Sequence, residues 1–391
     1  MARFKPCLLA VGLVALFVSG ISEIAHAQGP QEGWQIYTAA DEVLAIAVDS
    51  GGRMWFGTND GGVNMLDHGG TPFDQGDDVW TTFTTVDGLA DNHVRAIAVD
   101  SGRRMWFSTW YGNGISVLDH GGTPFVKDDD AWTTFTVADG LADNQVRAIT
   151  TDNGGRLWFG MFGGSSVLDY GSTPFDKSDD VWSAFTIADG LADDNVETVV
   201  ADGEEKMWFG TYDGGVSMLD HGGTPFDKSD DAWTTFTTAD GLAGDQVRAI
   251  AVDSEGRLWF GTNADGISML NHGGTPFDKS DDVWINFTTT DGLADNDVNA
   301  IVVDSSGQVW FSTWGGGFGA LNYGDTPFDK GDDAWINFTT NDGLADNDVE
   351  AIFVDGEVQL WLGTCDGISM LDHGGTPFVK GDDAWINFTS S

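Results

Sequence analysis

Residues 94–144 read VRAIAVDSGRRMWFSTWYGNGISVLDHGGTPFVKDDDAWTTFTVADGLADN. Four apolar runs stand out: VRAIAV, MWFST, ISVLD and AWTTFT. Each is about five residues long and is bounded by Gly, Asp, Asn or Pro, the signature of short antiparallel strands, named A to D from the centre outward. No stretch of the unit carries the 3.6-residue period of an amphipathic helix.

The unit recurs along the chain. Trp55, Trp106, Trp158, Trp208, Trp259, Trp310 and Trp361 lie 50 to 52 residues apart, each in a W-[FL]-[GS] segment. Trp80, Trp132, Trp182, Trp233, Trp284, Trp335 and Trp385 follow them by 24 to 26 residues in W-x-x-F-T. A fixed period of this size marks units that bury their faces against one another, and four strands per unit is the blade pattern of a propeller. The expectation is an all-β, seven-bladed β-propeller over residues 28–391, with blades of about 51 residues beginning near 43, 94, 146, 196, 247, 298 and 349. An additional D-like strand, WQIYT at 34–38, precedes the first blade. Trp34 is 11 residues from Ala45, whereas Trp80 is 16 from Ala96, so the first copy lacks most of the usual D-to-A connection. The strand at Trp385 is therefore expected to complete blade 7; the alternative makes the N-terminal strand a clasp.

The run DGLADNxVRAIAVDSxGRxWFGTxDGG resembles the two-component regulator propeller repeat of bacterial sensor ectodomains, over nearly all of residues 33–391. The resemblance implies a sensing or recognition module. Those sensors usually continue into a transmembrane helix and a kinase, whereas this sequence ends at Ser391, so signalling by the polypeptide itself is not expected.

The first 27 residues have the form of a signal peptide: Arg3 and Lys5, an apolar run from Leu8 to Val18, then Ala25-His26-Ala27. Nothing later approaches the roughly 18 apolar residues of a membrane span. An extracytoplasmic protein, periplasmic or secreted, is expected, with no membrane insertion after cleavage. Cys7 falls within the leader, leaving Cys365 without a disulfide partner; no basic neighbour lowers its pKa, so it reads as an inert thiol. The net charge of −45 disfavours nucleic acid and anionic lipid and suits cations, basic partners or high salt. Solubility alone is the simpler reading of the same number.

Seven copies in one chain separate scaffold positions, which repeat, from site positions, which differ. Asp100, Gly102 and their equivalents are turn residues between strands A and B. His68, His120, His221, His272 and His373 resemble a metal set, but one falls in each of five C-to-D turns, on different blades, too far apart to share an ion. Asp176, Asp179 and Asp180, with their copies, cluster carboxylates as calcium requires, although Lys177 interrupts them. They make calcium the one cofactor the sequence offers.

In a propeller the D-to-A and B-to-C connections emerge on one face around the channel mouth. The B-to-C loops vary most, and they hold Trp110 and Trp314, the two tryptophans outside the strand series. Trp110, Tyr111, Asn113, Phe162, Tyr212 and Trp314 are the candidate binding residues, because aromatic rings interleaved with amides stack on sugar faces or apolar rings. The second residue of strand A runs Leu44, Arg95, Arg147, Glu197, Arg248, Asn299 and Glu350. Arg95, Arg147 and Arg248 offer forks for an anionic group, or pair with nearby carboxylates.

Three functions fit: a non-enzymatic recognition or sensor module for a polar small ligand, saccharide or partner protein; a propeller lyase using His93 with Glu197 or Glu350; and a cell-surface structural protein with a calcium-binding acidic rim.

Overall fold

The computed structural model describes residues 42–389, apart from 205, 325–327 and 356–358. The leader, Cys7 and the 34–38 strand lie outside the described residues. Within them, 28 strands form seven four-stranded antiparallel sheets, each made from one contiguous stretch of chain. In blade 2, strand A is Val94–Val99, B is Met105–Thr109, C is Ile115–Asp119 and D is Ala131–Phe135. Inner strands of the other blades begin at Val43, Val146, Val196, Val247, Val298 and Val349. The protein is a seven-bladed β-propeller. No helix among the described residues is long and apolar enough to cross a membrane.

Strand B is covered by strands A and C at its edges and by neighbouring blades on its faces, which is why MWFST in blade 2 is buried throughout. The glycine or serine after Trp-Phe has a steric cause. A Cβ at Gly57 would stand 2.8 Å from the Val94 carbonyl oxygen and 2.9 Å from Val94 Cγ1, on the next blade's inner strand. In blade 2 the equivalent Ser108 accepts a hydrogen bond from the Ala96 amide at 2.8 Å.

Each inner strand carries a β-bulge at its second residue. Register passes from Val43 to Ala45, from Val146 to Ala148, from Val196 to Thr198, and likewise in blades 5 to 7, while in blade 2 it passes from Val94 to Ile97. The skipped residues include Leu44, Arg95, Arg147, Glu197, Arg248, Asn299 and Glu350, and a bulge re-aims the side chain it frees.

The apolar cores lie between blades. Trp55, Val63, Met65 and Phe83 of blade 1 pack with Val94, Met105, Phe107 and Leu118 of blade 2, and equivalent clusters fill the other seams. At each seam the strand B tryptophan is covered on its face, and in blades 1 to 6 it is also fixed at its nitrogen. Trp158 Nε1 donates to Asp152 Oδ2 at 2.9 Å, and the same Trp–Asp bond recurs in blades 1, 2, 4, 5 and 6. The C-to-D turn of the following blade then lays a ring on the indole. His221 stacks on Trp158 at 5.7 Å, Tyr170 on Trp106 at 5.6 Å, and His68 on Trp361 at 5.9 Å. The histidine and tyrosine series is therefore a set of inter-blade contacts. Outside this layer, Lys177 bridges Asp139 at 2.7 Å and lies 4.5 Å from the Phe135 ring centroid, both on the blade 2 side of its seam. Five other lysines repeat the clamp.

Ala384–Phe388 occupies the outer position of blade 7. The last seam closes without an exchanged strand among the described residues: Val43, Ile46, Met54 and Phe56 pack against Phe353, Trp361, Ile368 and Met370. It differs from the others in two respects. Gln75 stands where the other blades have the clamp lysine, and Trp361 Nε1 is buried without a hydrogen-bond partner.

Asp152 also accepts from the amides of Gly154 and Arg156 and from Arg156 Nε at 2.6 Å. Asp152→Ala leaves a buried indole N–H and a guanidinium without their acceptor, so a loss of about 2–3 kcal/mol in urea unfolding free energy is expected. A loss below about 0.5 kcal/mol, the range of ordinary surface substitutions, would contradict this role.

Candidate functional site

Backbone hydrogen bonds join the B-to-C loops and D-to-A connections into one belt around the channel mouth. Each loop begins with an amide donating to the residue before strand A of its own blade: Trp110 to His93 at 3.3 Å, Phe162 to Gln145 at 3.3 Å and Tyr212 to Asn195 at 3.0 Å. The glycine ending the loop donates to the next connection: Gly114 to Asn144 at 3.2 Å, Gly164 to Asp194 at 2.6 Å and Gly215 to Asp245 at 2.8 Å. Loop and connection side chains of successive blades are thus held side by side.

Inside the belt, the bulged residues meet at the axis. Arg95 Nη2 lies 3.6 Å from Glu197 Oε2, two blades away, and Arg147 pairs with Glu197 Oε1. Arg248 pairs with Asp297, and Asn299 Nδ2 donates to the Val349 carbonyl at 3.0 Å. The three arginine side chains are only 3, 9 and 3 % exposed, so Arg95, Arg147 and Arg248 are paired within the protein and do not present open forks to solvent. Burial pulls Arg95 and Arg147 down to about 9, and both stay charged at neutral pH.

Trp110 rests on this ionic cluster. The guanidinium carbons of Arg95 and Arg147 lie 4.5 and 4.8 Å from its ring centroid, a double cation–π contact. Tyr111, Phe162 and Tyr212 stand exposed on blades 2, 3 and 4. Asn113 Nδ2 donates to Asp91 Oδ2, and the Asp213 amide donates to Asp193 Oδ2 at 3.0 Å. The result is an arc of rings edged with carboxylates and an amide. Trp314 is half-buried in the B-to-C loop of blade 6, with blade 5 between it and this arc.

The two chemical readings find no assembled group. His93 sits edge-on to Tyr111 at 5.0 Å, and burial, reinforced by Arg95, lowers its pKa to about 4. No hydrogen bond or ion pair joins it to Glu197 or Glu350 among the described residues, and Glu197 is engaged with two arginines. Asp176 Oδ1 caps the turn at Ser178, Asp179 Oδ2 accepts from Ser172, and Lys177 reaches to the preceding blade. Asp176, Asp179 and Asp180 do not converge. Among the described residues the one set of three such groups with ligand atoms within 4.8 Å of one another is Glu42, Glu350 and Cys365. The Cys365 sulfur is engaged, which removes it as a ligand.

Sequence reasoning named Asp180 as a calcium candidate and missed its burial. Both Asp180 oxygens are buried without a hydrogen-bond partner, and Asp130, Asp231 and Asp282 repeat the arrangement. Burial, then the adjacent Asp179, raises Asp180 to about 6. Because the folded value exceeds the unfolded one, the native state favours the protonated acid. The destabilising charge is present above about pH 6 and gone below about pH 4. Asp180→Asn is expected to raise the melting temperature at pH 7.5, with the advantage over wild type shrinking towards zero at pH 4. An advantage independent of pH would show that the ionised carboxylate is not the cause.

Breaking the axial cluster has the opposite sign. Glu197→Gln leaves Arg95 and Arg147 buried without their shared counter-ion, and a loss of about 3–5 kcal/mol in unfolding free energy is expected. Wild-type stability in that variant would mean that solvent, not Glu197, neutralises the pair.

Segments 39–60, 88–111, 140–163, 241–264 and 292–315 match the two-component regulator propeller family model. Comparison with curated proteins gave no match. Among solved structures, the chain is similar to the extracellular domain assigned to a hybrid two-component system of B. thetaiotaomicron: 21% identity over 84% of this chain and 38% of that one, with a TM-score of 0.63. Similarity to PorZ, a surface component of the type-IX secretion system of Porphyromonas gingivalis, has the same identity, coverage of this chain and TM-score, over 46% of that chain. Virginiamycin B lyase from Staphylococcus aureus is 15% identical over 87% of this chain and 97% of its own, with a TM-score of 0.60. At these identities the likeness is one of fold, and the chain spans less than half the length of the first two. The chain is a seven-bladed propeller, five segments of which match the two-component regulator propeller family model.

Proposed function

We propose that this protein is an exported, non-catalytic recognition module that binds a polar ligand with flat ring faces, of the saccharide class, on the blade 2 to 4 sector of the channel mouth. The carrying observation is that Tyr111, Phe162 and Tyr212, on three consecutive blades, all remain exposed beside Trp110. Rings of this size are ordinarily buried in a protein whose scaffold tryptophans are fully enclosed. Placed at a concave mouth and edged by Asn113, Asp91, Asp193 and Asp213, they offer stacking faces and hydrogen-bonding groups together. Arg95 and Arg147 act from beneath, holding Trp110 in place, and Trp314 supplies a separate ring on blade 6. The reading calls for no cofactor.

Export and recognition are supported by the signal-like N-terminus and by the extracellular domain and surface component among the structures of like fold. A lyase reading requires His93 and a carboxylate within mutual reach, and the engagement of Glu197 with two arginines argues against it.

A glycan array followed by titration calorimetry tests the proposal. Wild type is expected to bind a subset of glycans, and Tyr111→Ala/Phe162→Ala/Tyr212→Ala to bind them at least about tenfold more weakly, about 1.4 kcal/mol. The melting temperature should be nearly unchanged, because exposed side chains contribute little to stability. Equal affinities for the two proteins would remove the aromatic arc as a binding surface.

A further inference from the structure

The aromatic arc is part of a larger asymmetry on the same face. Val86, Val137 and Ile187, in the connections leaving blades 1, 2 and 3, are 93, 52 and 61 % exposed. With Tyr111, Phe162 and Tyr212 they alternate around one sector in the order Val86, Tyr111, Val137, Phe162, Ile187, Tyr212. Backbone bonds tie the inner ends of these connections to the loops that carry the rings: Trp110 to His93, Gly114 to Asn144, Phe162 to Gln145, Gly164 to Asp194 and Tyr212 to Asn195. The remaining exposed large apolar residues lie in C-to-D turns, as Phe73, Phe125, Phe175 and Phe277 do, or open strand D, as Val79, Val181 and Val283 do. On the loop face, blades 4 to 6 carry Thr238, Thr289 and Thr340 where blades 2 and 3 carry Val137 and Ile187. The apolar crescent is confined to one sector, and it extends outward beyond the rings a single sugar would cover.

Charge selects the occupant. The D-to-A and B-to-C connections from Asn59 onward contain nineteen aspartates and no lysine or arginine. The three arginines beneath them are buried in pairs with Glu197 and Asp297. A second copy, with the same acidic face and a net charge of −45, would be repelled there, and so would an anionic bilayer. Six of those aspartates, Asp87, Asp139, Asp189, Asp240, Asp291 and Asp342, are held by the clamp lysines. The remaining carboxylates leave the face acidic, so an apolar sector set in net negative charge fits a complementary protein surface. We infer that the crescent from Val86 to Tyr212 docks a basic protein segment, one presenting aliphatic or aromatic side chains interleaved with lysine or arginine.

The inference shares the three rings with the saccharide reading, and the aliphatic positions separate the two, because they can be changed with all three rings in place. Val86→Thr/Val137→Thr/Ile187→Thr changes no charge. It installs the residue found at Thr290, Thr238 and Thr340 in corresponding connections, so the fold tolerates it. The full chain is immobilised, and biolayer interferometry is run with an amphipathic peptide alternating leucine with lysine and with its leucine–glutamate counterpart. Wild type is expected to bind the lysine peptide and not the glutamate peptide, and the triple variant to bind the lysine peptide about tenfold more weakly. Equal binding by wild type and variant would reduce the effect to bulk charge and overturn the inference, as would no binding of the lysine peptide. Sedimentation of wild type should give a monomer; a dimer dissolved by the triple substitution would assign the crescent to a second copy and equally overturn it.

Discussion

Each seam of this propeller depends on an indole covered on its flat surface, and six of the seven also fix it at its polar edge. The strand B tryptophan is too large for one sheet to enclose, so its nitrogen is held by the carboxylate at the end of strand A and its face is covered by a ring from the next blade. One side chain therefore specifies its own turn and the position of its neighbour. Repeated around the disc, the contact makes each blade's core a shared one. No blade can complete its packing alone, and His68 on Trp361 returns the series to its start.

Closure is what gives the site its geometry. The bulge in each inner strand has little consequence in a single sheet, but seven of them around one axis bring Arg95 to Glu197 from two blades away. That ionic cluster lies beneath Trp110 and stiffens the base of the aromatic arc. The exposed rings then differ from the scaffold rings in one physical respect: nothing in the next blade covers them. The same holds for Val86, Val137 and Ile187, which lie at the bends of connections and not in a seam.

The fold was legible because its determinants are local and repeated. Trp106 with Asp100, Gly57 in W-F-G and the Gly-Asp-Asn turns can each be read within one 51-residue unit, and seven copies average out the exceptions. The C-terminal strand in blade 7 followed from the short Trp34-to-Ala45 interval, although the N-terminal strand itself lies outside the described residues. The site was only half legible. Variation among the B-to-C loops pointed to Trp110, Tyr111, Phe162 and Tyr212, but the partners of Arg95, Arg147 and Arg248 lie on other blades, and sequence spacing holds no record of which carboxylate reaches across the axis. Asp180 and its equivalents were read as part of a carboxylate cluster suited to calcium; their burial has no counterpart in the local sequence. The aliphatic half of the crescent did leave a signal, valine and isoleucine where later blades have threonine, visible only when connections are compared as loops were.

The site depends on a seam between blades 7 and 1 as firm as the others, although that seam lacks the lysine clamp. Hydrogen exchange followed by mass spectrometry measures this directly. Closure by side-chain packing predicts that the inner strands Val43–Val48 and Val349–Asp355 exchange as slowly as Val196–Ala201, through one global opening. Early exchange confined to the strands of blades 1 and 7 would show a disc that opens at this seam, and the loops that make up the site would then not be held around one axis.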